Sequence, residues 1–173
     1  MSLADPRRWA LALTVTAGLL SARVSAQTST TPVATKFWLA AGPVWVSGEP
    51  PIGGIIFGKA KVGFAAVSTV HSGHLVLSSR VTVAGTGPVA AWDLGVLAGV
   101  GSYTGPPVYG SIAAGLGRSS IQGRGSGISI PAQIEIGWRI TGSFGVGLYG
   151  FGSFAGPDDF LGLGLMARVG RLR

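Results

Sequence analysis

The clearest pattern in this sequence is a regular alternation of residue types between positions 128 and 140. The even positions carry isoleucine, alanine or tryptophan, and the odd positions carry polar, charged or small residues or proline. A period of two indicates a β-strand, because successive side chains of a strand point to opposite faces. The run is longer than a typical globular strand. It is also long enough for a tilted strand to cross a bilayer, which takes about 9–11 residues.

Seven further apolar runs accompany this one, and clusters of Gly, Pro, Ser and Asp, which are typical of turns, separate them. Long strands with short connections predict an antiparallel up-and-down meander. In a membrane such a sheet closes, because an open edge would leave backbone groups without partners in hydrocarbon. We therefore predict an all-β fold, an eight-stranded antiparallel up-and-down transmembrane β-barrel of residues 36–173. The predicted strands are 36–47, 54–69, 74–85, 89–103, 108–120, 127–141, 143–155 and 159–172.

An even number of strands puts both ends of the barrel chain on one side, which we assign to the periplasm. The breaks at 71–73, 105–107 and 141–143 are then periplasmic, and those at 48–53, 86–88, 121–127 and 156–158 face outward. Two irregularities are expected. Gly42-Pro43 breaks the parity of the first strand and predicts a bulge or bend, and Pro131 cannot donate to a ladder.

The composition supports a membrane location. Charged residues make up 11% of the chain and hydrophobic residues 47%, whereas soluble domains usually carry about 25% charged residues. A soluble, lipocalin-like barrel needs a charged exterior, and one or two charges per strand are too few to supply it. The apolar faces are therefore assigned to lipid and the polar faces to the lumen. The chain has no cysteine, which excludes disulfides, thiolate metal sites and a cysteine nucleophile.

The N-terminus has the features of an export signal. Arg7 and Arg8 precede an apolar segment at 9–20, and Val24-Ser25-Ala26 is a small-x-small cleavage site. An uncleaved anchor helix is the alternative, but the apolar segment is shorter than the roughly 20 residues that a spanning helix needs. We predict a signal peptide over 1–26, cleaved after Ala26, a flexible lead-in over 27–35 and localisation to a bacterial outer membrane.

The chain is basic, with a formal net charge of +7. The predicted signal peptide contains three arginines and one aspartate, so its removal leaves +5. The remaining basic residues are scattered singly along alternating strands rather than clustered. Nucleic acid is therefore not expected as a partner.

Charged side chains on the lumen-facing positions are the main candidates for chemistry. An eight-stranded interior is only just wide enough for side chains to fill, and buried charges must be paired. We interpret these residues as ion clusters that fill a narrow barrel. The alternative is a narrow, slightly anion-preferring water path. The upper, outward half holds Lys59, Lys61, Arg80 and Asp93, and the lower half holds Glu135, Arg139 and Arg168.

Aromatic residues lie near the predicted strand ends, as the interfacial girdles of a membrane barrel require. The predicted girdle residues are Trp38, Tyr109 and Trp138 on the periplasmic side, and Trp45, Trp92 and Phe160 on the outer side.

Three short motifs have both a structural and a functional interpretation. His71-Ser72-Gly73-His74 is interpreted as a solvated periplasmic turn. A metal site there lacks a third ligand, and a lipid hydrolase needs a lipid-accessible histidine with an orienting carboxylate.

Gly145 to Gly150 matches G-x-G-x-x-G but lacks the strand-helix context of a dinucleotide site, so we expect its glycines to leave room for Tyr149 or an arginine. Asp158-Asp159 is interpreted as an exposed acidic turn, with weak Ca²⁺ binding as the alternative. We predict no catalytic residue, metal or cofactor.

Four segments carry a resemblance to a known class of protein: Trp92 to Gly95, Phe144 to Phe154, Phe160 to Leu165 and Gly170 to Arg173. They resemble small outer-membrane β-barrel proteins of Gram-negative bacteria, built like the eight-stranded OmpA/OmpX type. The resemblance implies fold and location and no activity. One departure is the final Leu172-Arg173, because barrel proteins usually finish on an aromatic residue that the assembly machinery reads.

The sequence therefore favours an integral outer-membrane protein with a structural or surface role and no catalysis. A narrow, porin-like passive channel for small solutes or ions is the main alternative, and a lipid-modifying barrel enzyme is the third. The expected partners are membrane lipids and, during biogenesis, the barrel-assembly machinery. The barrel is expected to be a monomer.

Overall fold

The computed structural model describes residues 35–47, 61–85, 91–105, 107–121, 125–154 and 159–171. All the regular secondary structure in this part of the chain is β-strand. The strands are β1 (Thr35–Ser47), β2 (Lys61–Ser72), β3 (Leu75–Ala84), β4 (Ala91–Gly105), β5 (Val108–Ile121), β6 (Gly125–Arg139), β7 (Phe144–Phe154) and β8 (Phe160–Arg171). No helix of the described residues is long and apolar enough to cross a membrane.

The eight strands form one closed barrel in sequence order, with β1 paired to β8. Every neighbouring pair is antiparallel, so the predicted all-β, up-and-down barrel is confirmed. Where the structure describes both ends of a predicted strand, the bounds agree within about two residues, and β1 begins at Thr35, one residue before the predicted barrel. Residues 54–60 of the predicted second strand lie outside the described residues, as do the predicted signal peptide and the rest of the lead-in.

Short turns join the strands at the end of the barrel where β1 begins and β8 ends. Gly73 and His74 connect β2 to β3, and Gly73 has a φ of 63°, which glycine adopts without steric cost. Between β6 and β7, the hydroxyl of Thr141 accepts a hydrogen bond of 3.0 Å from the backbone N–H of Phe144. This end therefore has the short turns that are typical of the periplasmic side of bacterial barrels.

The alternation read from the sequence assigns the faces of β6 correctly. Ile134 and Ile136 point outward with 53% and 42% of their surface exposed, whereas Glu135 between them is 1% exposed. The same alternation runs around the barrel, where Val96, Leu116 and Leu165 are 69%, 71% and 53% exposed. A continuous band of large apolar side chains therefore faces outward.

At both predicted irregularities the register continues, and one of the two ladders of the strand is interrupted. β1 keeps a single register against both neighbours through Gly42-Pro43, so the predicted bulge is wrong. A side chain at Gly42 would overlap the backbone carbonyl of Leu165, so the glycine permits a close strand approach instead. At Pro131 the β5–β6 register continues, but the ladder is interrupted. The missing N–H explains the interruption, and the proline ring lies against Gly95, where an added Cβ would come within 2.7 Å of it.

Candidate functional site

The interior of the barrel holds two arginines that reach across it at different heights. The first is Arg80 on β3. Its Nε donates to Oδ1 of Asp93 on β4 at 2.7 Å, and both side chains have 0% exposure. Its Nη1 and Nη2 donate to the backbone carbonyls of Ala132 on β6 and Gly152 on β7, at 2.9 and 3.0 Å. One guanidinium thus links four strands across the lumen, and we call Arg80 with Asp93 the upper crossbar.

An aromatic cluster lies against the arginine of the upper crossbar. The guanidinium carbon of Arg80 lies 5.1 Å from the ring centre of Phe151, within the range of a cation–π contact. Phe151 stacks on Tyr149 at 5.3 Å and meets Phe160 edge-on at 6.4 Å. The Tyr149 hydroxyl donates to Oε1 of Gln133 at 3.0 Å. The arginine of the charged pair is therefore backed by a cluster of three rings, of which Phe151 contacts it.

The second arginine, Arg168 on β8, forms an ion pair with Glu135 on β6. We call this pair the lower crossbar. Its guanidinium carbon lies 5.5 Å from the ring centre of Trp38 and 5.1 Å from that of Tyr109. The carboxylate balances the buried cation, and the two rings face it from β1 and β5. Arg168 thus draws residues of four strands together, as Arg80 does above it.

A glycine makes the room for this arginine. A Cβ at Gly137 would overlap the guanidinium of Arg168, and one at Gly147 would lie 3.4 Å from its central carbon. Gly147 belongs to the G-x-G-x-x-G segment and faces Gly137 in the register of β6 and β7. A Cβ at Gly147 would instead come within 2.7 Å of the backbone carbonyl oxygen of Ile136, so this glycine of the motif permits the close approach of β6 and β7. The space for Arg168 comes from Gly137, which lies outside the motif.

His71 lies inside the barrel, which corrects its assignment to a solvated turn. It belongs to β2 and is 4% exposed, and its ring centre lies 6.3 Å from Trp38 and 5.7 Å from Tyr109. Its Nε2 is 3.4 Å from the backbone carbonyl of Gly101. The inward parity of this position on β2 places the ring there, away from the lipid-accessible surface that the hydrolase alternative requires. His74 is exposed in the turn, as predicted.

The other predicted lumen charges occupy the rims or lie outside the described residues. Lys61 has the inward parity of β2, but it stands at the first position of the strand and is exposed. Arg139 has the inward parity of β6 and is half-buried at the last position of that strand. Lys59 lies outside the described residues. Within the described interior, two cations therefore face two carboxylates.

The predicted aromatic girdle divides into two groups. Trp45 and Trp138 point outward, each 40% exposed, and Trp92 is partly exposed. Trp38, Tyr109 and Phe160 are instead buried inside, at 0%, 1% and 2% exposure, which corrects their assignment to the girdle. The reason is strand parity, because these three residues alternate with outward-facing neighbours. Large apolar neighbours of this kind, such as Phe37 beside Trp38, are exposed near the strand ends.

Oxygen atoms without hydrogen-bond partners among the described residues line part of the interior wall. Thr82, Asp93 and Ser119 are direct neighbours on β3, β4 and β5. Burial leaves such groups in need of partners, and water commonly supplies them. This wall can therefore bind water beside the upper crossbar. On this wall the oxygens concerned are Thr82 Oγ1, Asp93 Oδ2 and Ser119 Oγ. Further interior hydroxyls without such partners belong to Ser111, Ser129 and Ser153.

The described residues contain no group of three His, Cys, Asp or Glu side chains that could hold a metal ion. Asp158 of the predicted acidic turn lies outside the described residues, and Asp159 is half-buried before β8.

Comparison of the structure with solved structures identifies the class of fold. The chain is similar to Neisserial surface protein A (13% identity, TM-score 0.51, covering 79% of this chain and 98% of that one). It is also similar to Ail, the attachment invasion locus protein of Yersinia pestis (14%, 0.53, 81% and 99%). A third similar structure is the N-terminal β-barrel domain of Pseudomonas aeruginosa OprF (12%, 0.50, 78% and 96%). All are eight-stranded outer-membrane barrels, and this chain has the same fold. No protein-family model matches the sequence, and no curated protein matches it.

Proposed function

We propose that this protein is an integral outer-membrane β-barrel with a structural or surface role and no catalysis. The observation that carries the proposal is the combination of an apolar outer face with a polar, filled interior. Residues such as Val96, Leu116 and Ile134 expose half or more of their surface outward, whereas the charged pairs lie within. In water this arrangement would expose a large apolar area, whereas in lipid it is the expected one.

The proposal includes a route to the membrane. Residues 1–26 act as a signal peptide cleaved after Ala26, and the barrel-assembly machinery inserts the exported chain. The end where β1 begins and β8 ends faces the periplasm, which is supported by its short turns.

Closure of the barrel pairs every described strand on both sides, which removes the sheet edges that favour association and supports a monomer.

The test of this proposal is membrane fractionation with heat-modifiability on gels. We expect the protein in the outer-membrane fraction, with different mobility in boiled and unboiled samples, because a closed barrel resists detergent until it is heated. A matched sample with the replacement Gly42→Leu should lose the unboiled form, since a side chain there overlaps the β8 backbone. A protein found in the soluble fraction, with no mobility shift, would contradict the proposal.

A passive channel is the second candidate, and the unpartnered oxygens of the interior wall favour it because they can bind water. The two crossbars oppose it, since each spans the lumen. We expect no resolvable conductance steps when the heat-modifiable protein is placed in planar bilayers, with a general porin as positive control. Discrete steps from the unmodified protein would contradict the filled lumen and support the channel.

A further inference from the structure

The outward face of the barrel has an apolar groove of about 540 Å³ across β1, β6, β7 and β8. Its floor follows one row of the sheet, in which Ala41 pairs with Ala167 and Ala167 with Val146. The row ends at Trp138, which pairs with Val146. The groove results from residue size, because two alanines stand between larger side chains. On one side of the alanines the pair Leu39 and Val169 is 55% and 61% exposed.

The side of the groove towards β6 is formed by Trp138, whose ring is 40% exposed. On the opposite side of the alanines from Leu39 and Val169, the larger side chains of Pro43 and Leu165 border the groove. Larger groups thus border the alanines, and the groove opens on the outward face. A ligand that reaches from the groove towards the strand termini passes over Leu39 and Val169. Its volume is in the range of sites that bind small apolar molecules, about 300–1,000 Å³.

A basic residue stands on the same face at the interface. Arg171 ends β8, pairs with Phe37 and is exposed. Its parity is that of Ala167 and Val169, so its side chain leaves the barrel outward. Four residues of strand separate Arg171 from Ala167, which is about 13 Å along the strand. With a strand tilt of roughly 40°, the groove lies about 10 Å deeper in the membrane than Arg171. That depth falls within one leaflet, whose hydrocarbon half is about 15 Å thick.

We propose that this face binds an anionic glycerophospholipid, with one acyl chain in the groove and the phosphate at Arg171. The inference rests on the proposed outer-membrane location. The apolar lining suits an acyl chain, and the guanidinium complements a phosphate with the hydrogen bonds and charge that arginine supplies. Because Arg171 stands at the proposed periplasmic end, the lipid belongs to the periplasmic leaflet.

The experiment uses Trp138 as a reporter, because it lines the groove. Trp9, Trp45 and Trp92 are replaced by phenylalanine, and Trp38 remains as a buried background. The protein is inserted into phosphatidylcholine vesicles that contain a small fraction of brominated phosphatidylglycerol or brominated phosphatidylcholine. Bromine quenches tryptophan only at close range. We expect a preference of about fivefold for the anionic lipid at Trp138, as one basic residue near an anionic membrane surface provides.

Three variants of the reporter make the test specific. Arg171→Gln should bring the preference close to one. Arg118→Gln, which removes an exposed outward arginine on β5 far from the groove, should leave it unchanged. Ala167→Phe should fill the groove and reduce the preference with no change in charge.

Equal quenching by the two lipids, unaffected by Arg171→Gln, would overturn the inference while leaving the membrane location intact. If Trp138 escapes both quenchers in a heat-modifiable protein that cross-links as a dimer, a second copy covers the face and the inference is wrong. Failure to insert, with no heat shift, would instead contradict the outer-membrane proposal.

Discussion

Replacing Asp93 with leucine is expected to lower the free energy of unfolding by about 3–5 kcal/mol. The substitution removes the carboxylate from the Nε of Arg80 and leaves a guanidinium with 0% exposure unbalanced in the interior. The carbonyls of Ala132 and Gly152 still accept hydrogen bonds from it, but neutral dipoles do not replace a countercharge. Urea titration of the protein refolded in lipid vesicles, followed by the loss of the unboiled gel form, measures the change.

The double variant Arg80→Met/Asp93→Leu is the matched control. It removes both charges together, so no unpaired ion remains, and an apolar pair of similar volume is often tolerated at a buried site. We expect it to be more stable than Asp93→Leu alone. The resulting double-mutant cycle isolates the coupling of the two side chains. A loss of less than about 1 kcal/mol for Asp93→Leu would show that the pair is hydrated, contrary to the burial described above.

The strand pattern and the faces of the strands could be read from the sequence because both depend on local rules. Alternation over two residues assigned Ile134 outward and Glu135 inward, and turn residues marked the ends of strands. The same rule applied to the first strand would have placed Trp38 inside the barrel, on the same face of the strand as Lys36 and Ala40. Its assignment to the girdle rested on nearness to the strand end. Parity is the better signal, because it determines which face of the sheet a side chain occupies, whereas position along the strand determines only its depth.

The pairing of the interior charges was beyond what the sequence alone predicts. Glu135 and Arg168 meet across an intervening strand, and their contact depends on barrel closure, strand register and the space left by Gly137. Arg80 likewise donates to backbone carbonyls on β6 and β7, which are distant in sequence. Because every residue has a backbone carbonyl, no residue type in the sequence marks these two as acceptors. The interior placement of Trp38, Tyr109 and Phe160 was missed for a related reason, since these rings were expected at the lipid interface.

Replacing Ile134 with arginine is expected to destabilise the inserted barrel by about 2–4 kcal/mol. The side chain points outward from the middle part of β6 and is 53% exposed, so in a bilayer the arginine would enter hydrocarbon. Ile128 has the same parity on the same strand, is 76% exposed and lies near the end of β6. Ile128→Arg is the matched control and should cost roughly 0–1 kcal/mol, because a charge near the interface reaches water.

The different depths of these two positions in a bilayer make the pair of variants a test of whether the barrel spans a membrane. In water, arginine at either exposed position would be equally well solvated, and the two variants would unfold at similar urea concentrations. A larger destabilisation by Ile134→Arg than by Ile128→Arg in vesicles would assign the apolar band to the bilayer. Equal and small effects of both substitutions in vesicles would contradict the lipid-facing assignment of β6, and with it the membrane-spanning role of the barrel.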